Sequence, residues 1–105
     1  MRLSIIIPAH NERKRIRPML DAFAAHFLPR YGDEVEILVV VNGSSDGTEA
    51  VIREYVDRLP QVKMVVIPDR IGKGGALLRG LREATGELTG FVDADGATSP
   101  DEFQK

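Results

Sequence analysis

Glu36-Ile37-Leu38-Val39-Val40-Val41-Asn42-Gly43-Ser44-Ser45-Asp46-Gly47-Thr48 is the stretch on which the fold turns. Its first half is an apolar run without in-and-out alternation, the pattern of a strand buried on both faces. Its second half is a Gly/Ser/Asp cluster that feeds Ile52, Tyr55, Val56 and Leu59 at helical spacing, with Ser45 or Asp46 as cap and Pro60 as stop. A doubly buried strand passing straight into an amphipathic helix is half of a βαβ unit. The pattern repeats outward. Leu3–Ile7, Val62–Ile67 and Leu88–Val92 read as further strands buried on both faces. Ile16, Met19, Leu20, Phe23 and Phe27 make one helical stripe. A third helix from about Lys73 to Thr85 turns Leu77, Leu78, Leu81 and Ala84 inward, with Gly86 as its C-terminal cap. The order βαβαβαβ predicts an α/β fold, a mostly parallel sheet with flanking helices.

The chain has 105 residues, 43% hydrophobic and 29% charged, a composition for one globular domain rather than disorder. Fourteen basic against sixteen acidic side chains leave a net charge of −2, which argues against nucleic acid as a partner. Without Cys there is no disulfide framework and no zinc-thiolate site. No apolar run approaches the ~20 residues needed to cross a bilayer. The N-terminus lacks signal-peptide character, so a cytoplasmic location is the expectation. Ser99-Pro100-Asp101-Glu102 opens a helix that has no room to continue, and Leu88–Val92 has no following helix to cover it. Residues 1–105 are therefore expected to be the front of a longer domain, incomplete at the C-terminus. Self-association through the uncovered edge and face follows from the same observation.

In an open parallel sheet, ligands bind beyond the carboxyl ends of the strands. Four polar or Gly-rich segments converge there: Pro8-Ala9-His10-Asn11-Glu12, Asn42–Gly47, Asp69–Gly75 and Asp93-Ala94-Asp95-Gly96. The amino ends of the strands look ordinary by contrast. Asp93 and Asp95 sit two residues apart and can turn toward one divalent cation, Mg2+ or Mn2+, which take oxygen ligands. Alternatively, one of them caps the next turn. Asn42 and the small residues after it either meet the polar part of a nucleotide or simply make a strand-to-helix turn. Lys73 lies in Gly72-Lys73-Gly74-Gly75, which is neither a Walker A loop nor a dinucleotide fingerprint. With Arg70 it could face a diphosphate or only solvent. His10 and Glu12 could contact a base or ribose, or be loop residues.

Taken together, Ile5-Ile6-Ile7-Pro8-Ala9-His10-Asn11-Glu12, Asn42-Gly43-Ser44, Gly72-Lys73-Gly74-Gly75 and Asp93-Ala94-Asp95 resemble the amino-terminal half of a family 2 glycosyltransferase. That family has the GT-A fold, whose nucleotide-binding half is Rossmann-like. The resemblance implies metal-dependent transfer of a sugar from a nucleotide-sugar donor, by an inverting mechanism. It implies that Pro8, Ala9, His10 and Glu12 line the nucleoside pocket, that Asp93 lies near ribose and metal, and that Asp95 is the principal metal ligand and catalytic residue. Arg70–Ala76 and Asp93–Thr98 are most similar to dolichyl-phosphate and polyprenyl-phosphate glucosyltransferases. That suggests UDP-glucose as donor and a lipid phosphate as acceptor at the cytoplasmic membrane face, with a saccharide acceptor as the alternative. Residues 1–105 are then expected to bind donor without turning it over. One departure is Val41-Asn42, which stands where the family usually carries two acids and leaves base preference open. The rivals are a receiver-like signalling module, a nucleotidyltransferase and a non-catalytic interaction module. Receiver modules carry their acids after the first strand, and nucleotidyltransferases open with a Gly- and Arg-rich loop; neither feature is present.

Overall fold

The computed structural model describes residues 2–43, 46–67 and 72–92, the side chain of Lys73 excepted. In chain order it has β1 (Leu3–Ala9), α1 (Arg13–Tyr31), a 3-10 turn at Gly32–Glu34, β2 (Val35–Asn42), α2 (Thr48–Arg58), β3 (Val62–Ile67), α3 (Gly72–Glu83) and β4 (Leu88–Phe91). The sheet order is β3-β2-β1-β4, and every neighbouring pair is parallel. The expected α/β architecture is the observed one.

The chain steps from β1 to β2 to β3 in one direction and then returns across the sheet to place β4 beside β1. Crossovers of one hand require the returning helix to lie on the opposite face, and it does. Ile5, Ile7, Ile37, Val39 and Val41 pack with Ile16, Leu20, Phe23 and Phe27 of α1 and Ile52 and Tyr55 of α2. Ile6, Leu38 and Val40 pack with Ala76 of α3. This alternation explains why β1 and β2 read as continuous apolar runs: each face meets its own helices. The five-residue stripe of α1 is buried throughout. That burial holds the helix even though Arg13, Lys14 and Arg15 stand at its amino end, where the helix dipole disfavours cations.

The edges and α3 depart from the sequence reading. β3 and β4 are partly exposed rather than buried on both faces, because each has a neighbour on one side only. Leu78 and Leu81 do not point inward; they are 63% and 45% exposed. Instead Ala76, Gly80 and Ala84, spaced by four, bring the α3 backbone down onto the sheet. A Cβ on Gly80 would lie 2.5 Å from Cγ2 of Ile6. Leu77 and Ala84 pack against the sheet as the spacing predicts, while Ala76 and Gly80 are the contact residues that an apolar count misses. Gly47, with φ +91°, is the residue at the cap of α2. Asp46 acts from one position ahead, its carboxylate accepting from the Thr48 N–H at 3.0 Å; Ser45 lies outside the described residues.

The amino end of the sheet holds a feature the sequence reading passed over. Glu36, on β2, is fully buried. Its carboxylate accepts hydrogen bonds from Ser4 Oγ at 2.5 Å, Thr85 N–H at 2.7 Å, Thr85 Oγ1 at 3.0 Å and Lys63 Nζ at 2.9 Å. Ser4 Oγ in turn accepts the Gly86 N–H at 2.8 Å. Burial works against the charge, but these donors outweigh it and hold the carboxyl down at about 2. Gly86 is therefore not a left-handed helix cap. It is glycine because a Cβ would fall 2.6 Å from the Ser4 backbone nitrogen.

Candidate functional site

The strand order places a topological switch point between β1 and β4, and the carboxyl edge there is where an open α/β sheet binds ligands. Pro8 shapes that edge. The Ile6 carbonyl accepts the Val92 N–H at 3.1 Å, so Ile6 turns its backbone toward β4. In a parallel strand the residue two further on faces the same way. The next rung would need an N–H on residue 8, and Pro8 has none. The Pro8 position therefore lacks one donor toward β4, whose register on β1 runs to Phe91 opposite Ile6 and whose last described rung is the Val92 N–H. The β1–β2 ladder continues to Ala9 opposite Val41.

The residues after Pro8 are held in place by β2 and α2. Ala9 is buried, and His10 is half-buried. His10 Nδ1 lies 2.7 Å from the backbone carbonyl of Asn42. A carbonyl only accepts, so Nδ1 carries a proton in this contact, and Nε2 is the ring nitrogen left outside it. The Asn11 side-chain amide is 3.4 Å from that Nε2. Asn11 itself adopts φ +51°, a left-handed conformation that Asn tolerates better than most residues. The turn directs the Glu12 N–H to Thr48 Oγ1 at 2.9 Å. Glu12 caps α1, its carbonyl accepting from the Arg15 and Ile16 amides at 3.0 and 2.8 Å. Its carboxylate Oε2 is buried, 2.8 Å from an Arg15 guanidinium nitrogen but with no aligned hydrogen bond among the described residues. That oxygen retains acceptor capacity.

Asp46 and Thr48 bind the two loops together; sequence reasoning placed their segment at the site's edge but gave neither side chain a role of its own. Asp46 accepts from the Arg13 N–H at 3.2 Å and from both the backbone and hydroxyl of Thr48. Burial opposes its charge, yet the Thr48 hydroxyl and the backbone amides of Arg13 and Thr48 hold its carboxyl below the usual range. Asp46-x-Thr48 was visible as a helix start, but its contact with residues 12 and 13 spans more than thirty positions. Beside it opens a depression of about 480 Å3 lined by Asn11, Arg13, Lys14, Arg15 and Asp46.

Pro8, Ala9, His10, Glu12 and Asn42 thus share one edge, with Asn42 only 4% exposed and meeting His10 through its backbone carbonyl. The Lys73 side chain, Asp93 and Asp95 lie outside the described residues. Among the described residues there is no group of three or more His, Cys, Asp or Glu arranged to hold a metal ion. Nor is any described helix long and apolar enough to cross a membrane.

Known proteins share both the sequence and the geometry. A dolichyl-phosphate beta-glucosyltransferase of Trichomonas vaginalis is 41% identical over 97% of this chain and 32% of its own length. The human dolichyl-phosphate beta-glucosyltransferase is 32% identical over 98% of this chain and 34% of its length. The chain therefore spans about a third of the curated relatives it matches. Among solved structures, the mannosyltransferase PcManGT from Pyrobaculum calidifontis, in complex with GDP-Man and Mn2+, superposes with a TM-score of 0.80 at 36% identity, over 90% of this chain and 27% of that one. Staphylococcus aureus TarS in complex with UDP-GlcNAc does so with a TM-score of 0.81 at 31% identity, again over 90% and 27%. These are N-terminal portions of GT-A glycosyltransferases, as the switch-point geometry leads one to expect. The family model of glycosyl transferase family 2 matches residues 4–105, and the chain belongs to that family.

Proposed function

We infer that residues 1–105 form the nucleotide-sugar-binding part of a glycosyltransferase that transfers glucose from a UDP-sugar to a polyprenyl-phosphate acceptor. The observation that carries this is the convergence of Pro8–Glu12 with Asn42 and Thr48 at the carboxyl edge of β1 and β2, next to the β1/β4 switch point. Pro8 and Ala9 form the floor. His10 presents a ring whose Nδ1 is held by Asn42, leaving the ring face to stack. Glu12 offers a buried carboxylate oxygen to a hydroxyl or imino donor on the nucleoside. The similarity to glucosyltransferases named for dolichyl phosphate supports the glucose and lipid-phosphate parts of this reading.

Asp93 and Asp95 supply two carboxylates, an oxygen donor set that suits Mg2+ or Mn2+, with Asp95 the principal ligand. A cation there would offset charge building on the departing diphosphate. Lys73 would add a cation near the same phosphates. A phosphate acceptor already carries negative charge at neutral pH, so inverting displacement would ask little of a general base. Residues 1–105 are expected to bind donor without turnover, because holding an acceptor in line is a large part of catalysis.

The test is an amide NMR titration with UDP, GDP and AMP in Mg2+, followed by trace Mn2+. Shifts at His10, Glu12 and Asn42 with UDP, and Mn2+ broadening centred on Asp93 and Asp95, are the expected result. A well-dispersed spectrum that no nucleotide moves would overturn the donor-site reading of this chain. Turnover of UDP-glucose by the chain alone would overturn its assignment as a donor-binding part.

A further inference from the structure

We propose that the cluster of Ser4, Thr85 and Gly86 around the buried Glu36 carboxylate is a positioning device for β4, setting its register on β1 and hence the level at which the chain leaves toward Asp93. The part concerning Asp93 and Asp95 rests on the donor-site reading above; the register itself does not.

The four residues of β4 are a short edge strand with little burial of its own, its pattern running from exposed to half-buried. At its carboxyl end Pro8 offers no N–H to the Val92 carbonyl, so the strand lacks one rung there. Its amino end is held by other means. There the connection from α3 is tied down twice. Thr85 donates its backbone N–H and hydroxyl to the buried Glu36 carboxylate, and Gly86 donates its N–H to Ser4 Oγ. Leu88 N–H then meets the Arg2 carbonyl at 2.9 Å and the ladder begins. Sliding β4 by one residue would strip these donors from a fully buried carboxylate and push a side chain into the space that only Gly86 fits. Lys63 completes the carboxylate from β3 at 2.9 Å, so one side chain joins β1, β2, β3 and the segment leading into β4. From Gly86 to Asp93 is seven residues of mostly extended chain, and an error at the start is carried to the end.

The experiment uses the 105-residue chain and the variants Ser4→Ala, Thr85→Val, Thr85→Ser and Glu36→Gln, with Ile52→Val in α2 as a control that weakens the opposite face. Amide hydrogen exchange is read at Leu88 and Val92, which bond to β1, and at Gly43, whose N–H bonds to Ile67 across the sheet. Mn2+ alone is titrated in parallel, read by paramagnetic broadening. A positioning role predicts faster exchange at Leu88 and Val92 with Gly43 unchanged, and Mn2+ affinity weakened several-fold in Ser4→Ala, Thr85→Val and Glu36→Gln. It also predicts that Thr85→Ser behaves as wild type and that Ile52→Val leaves Mn2+ affinity alone. Exchange rising equally at all three amides, or Mn2+ affinity unmoved while β4 loosens, would overturn it. If Glu36→Gln does not fold, the two milder variants decide. A wild-type chain that Mn2+ does not broaden would remove the metal reading of Asp93 and Asp95, and exchange alone would then decide the register.

Discussion

At the amino ends of the strands, Ser4, Lys63, Thr85 and Gly86 close a hydrogen-bond network around the buried Glu36 carboxylate. At the carboxyl ends, His10, Glu12, Asp46 and Thr48 also form a network, but it stays partly open: a carboxylate oxygen without an aligned donor among the described residues, and a depression beside it. Both ends turn on a Glu carboxylate and a Thr hydroxyl. The difference lies in what their hydrogen-bonding capacity is turned toward. A closed network fixes geometry, whereas an open one has capacity left for a ligand.

That contrast can be broken by perturbing each end in turn. Glu36→Ala should have the largest effect, because it strands the Ser4 hydroxyl and the Thr85 amide in a buried space. A loss on the order of 3 kcal/mol in denaturant unfolding is expected. A loss below about 1 kcal/mol would mean that the amino end is not the closed network described.

Acid provides a second route to the same end. The Glu36 carboxyl titrates at about 2 in the folded protein against 4.5 in the unfolded chain. Between those values the unfolded chain holds the proton and the native one does not. Stability is therefore present above pH 4.5 and lost as pH falls toward 2, by up to about 3 kcal/mol from this group. In Glu36→Gln that part of the pH–stability curve should flatten; an unchanged slope would refute the assignment.

Gly86→Ala and Gly74→Ala sharpen the comparison from the backbone. The first forces a Cβ against backbone atoms of Ser4 and Leu3, at 2.6 and 2.8 Å. It should cost about 2 kcal/mol. The second meets nothing within 4 Å inside α3 and should be neutral or stabilise by up to about 1 kcal/mol. Thermal melts that rank the two the other way would contradict the close approach at Gly86.

Thr48→Val should cost the fold less than the Glu36 and Gly86 changes. Its hydroxyl serves Glu12 and Asp46 at the open end, so a loss of about 1 kcal/mol is expected. Uridine nucleotide affinity should fall by more than stability does, since the Pro8–Glu12 turn loses an anchor. Equal losses in both would make this end as purely structural as the other.

Much of this was legible in the chain because it depends on local pattern. The central strands announced themselves as Ile- and Val-rich runs, the α1 stripe by its spacing, and the edge that carries Pro8, Ala9, His10, Glu12 and Asn42 by the rule for open sheets. The face of α3 was legible only in part: Leu77 and Ala84 pack against the sheet as expected, but Ala76 and Gly80 were missed because they contribute by close approach rather than by hydrophobic bulk. Glu36 passed as one polar residue opening an apolar run. Its burial depends on Ser4, Lys63 and Thr85, which lie 32, 27 and 49 positions away. For the same reason Asp46 and Thr48 were seen as a helix start and not as the brace of the Pro8–Glu12 turn. Pairings of that range are set by topology, which a periodicity count does not contain.

Pro8 has one further consequence. A parallel sheet closes like a zip fastener, tooth by tooth, for as long as both tapes carry teeth. Residue 8 is a missing tooth: for want of a single hydrogen atom, β1 offers β4 one donor fewer where the chain passes Val92. A substitution such as Pro8→Ala would restore that tooth and give the Val92 carbonyl a donor to meet.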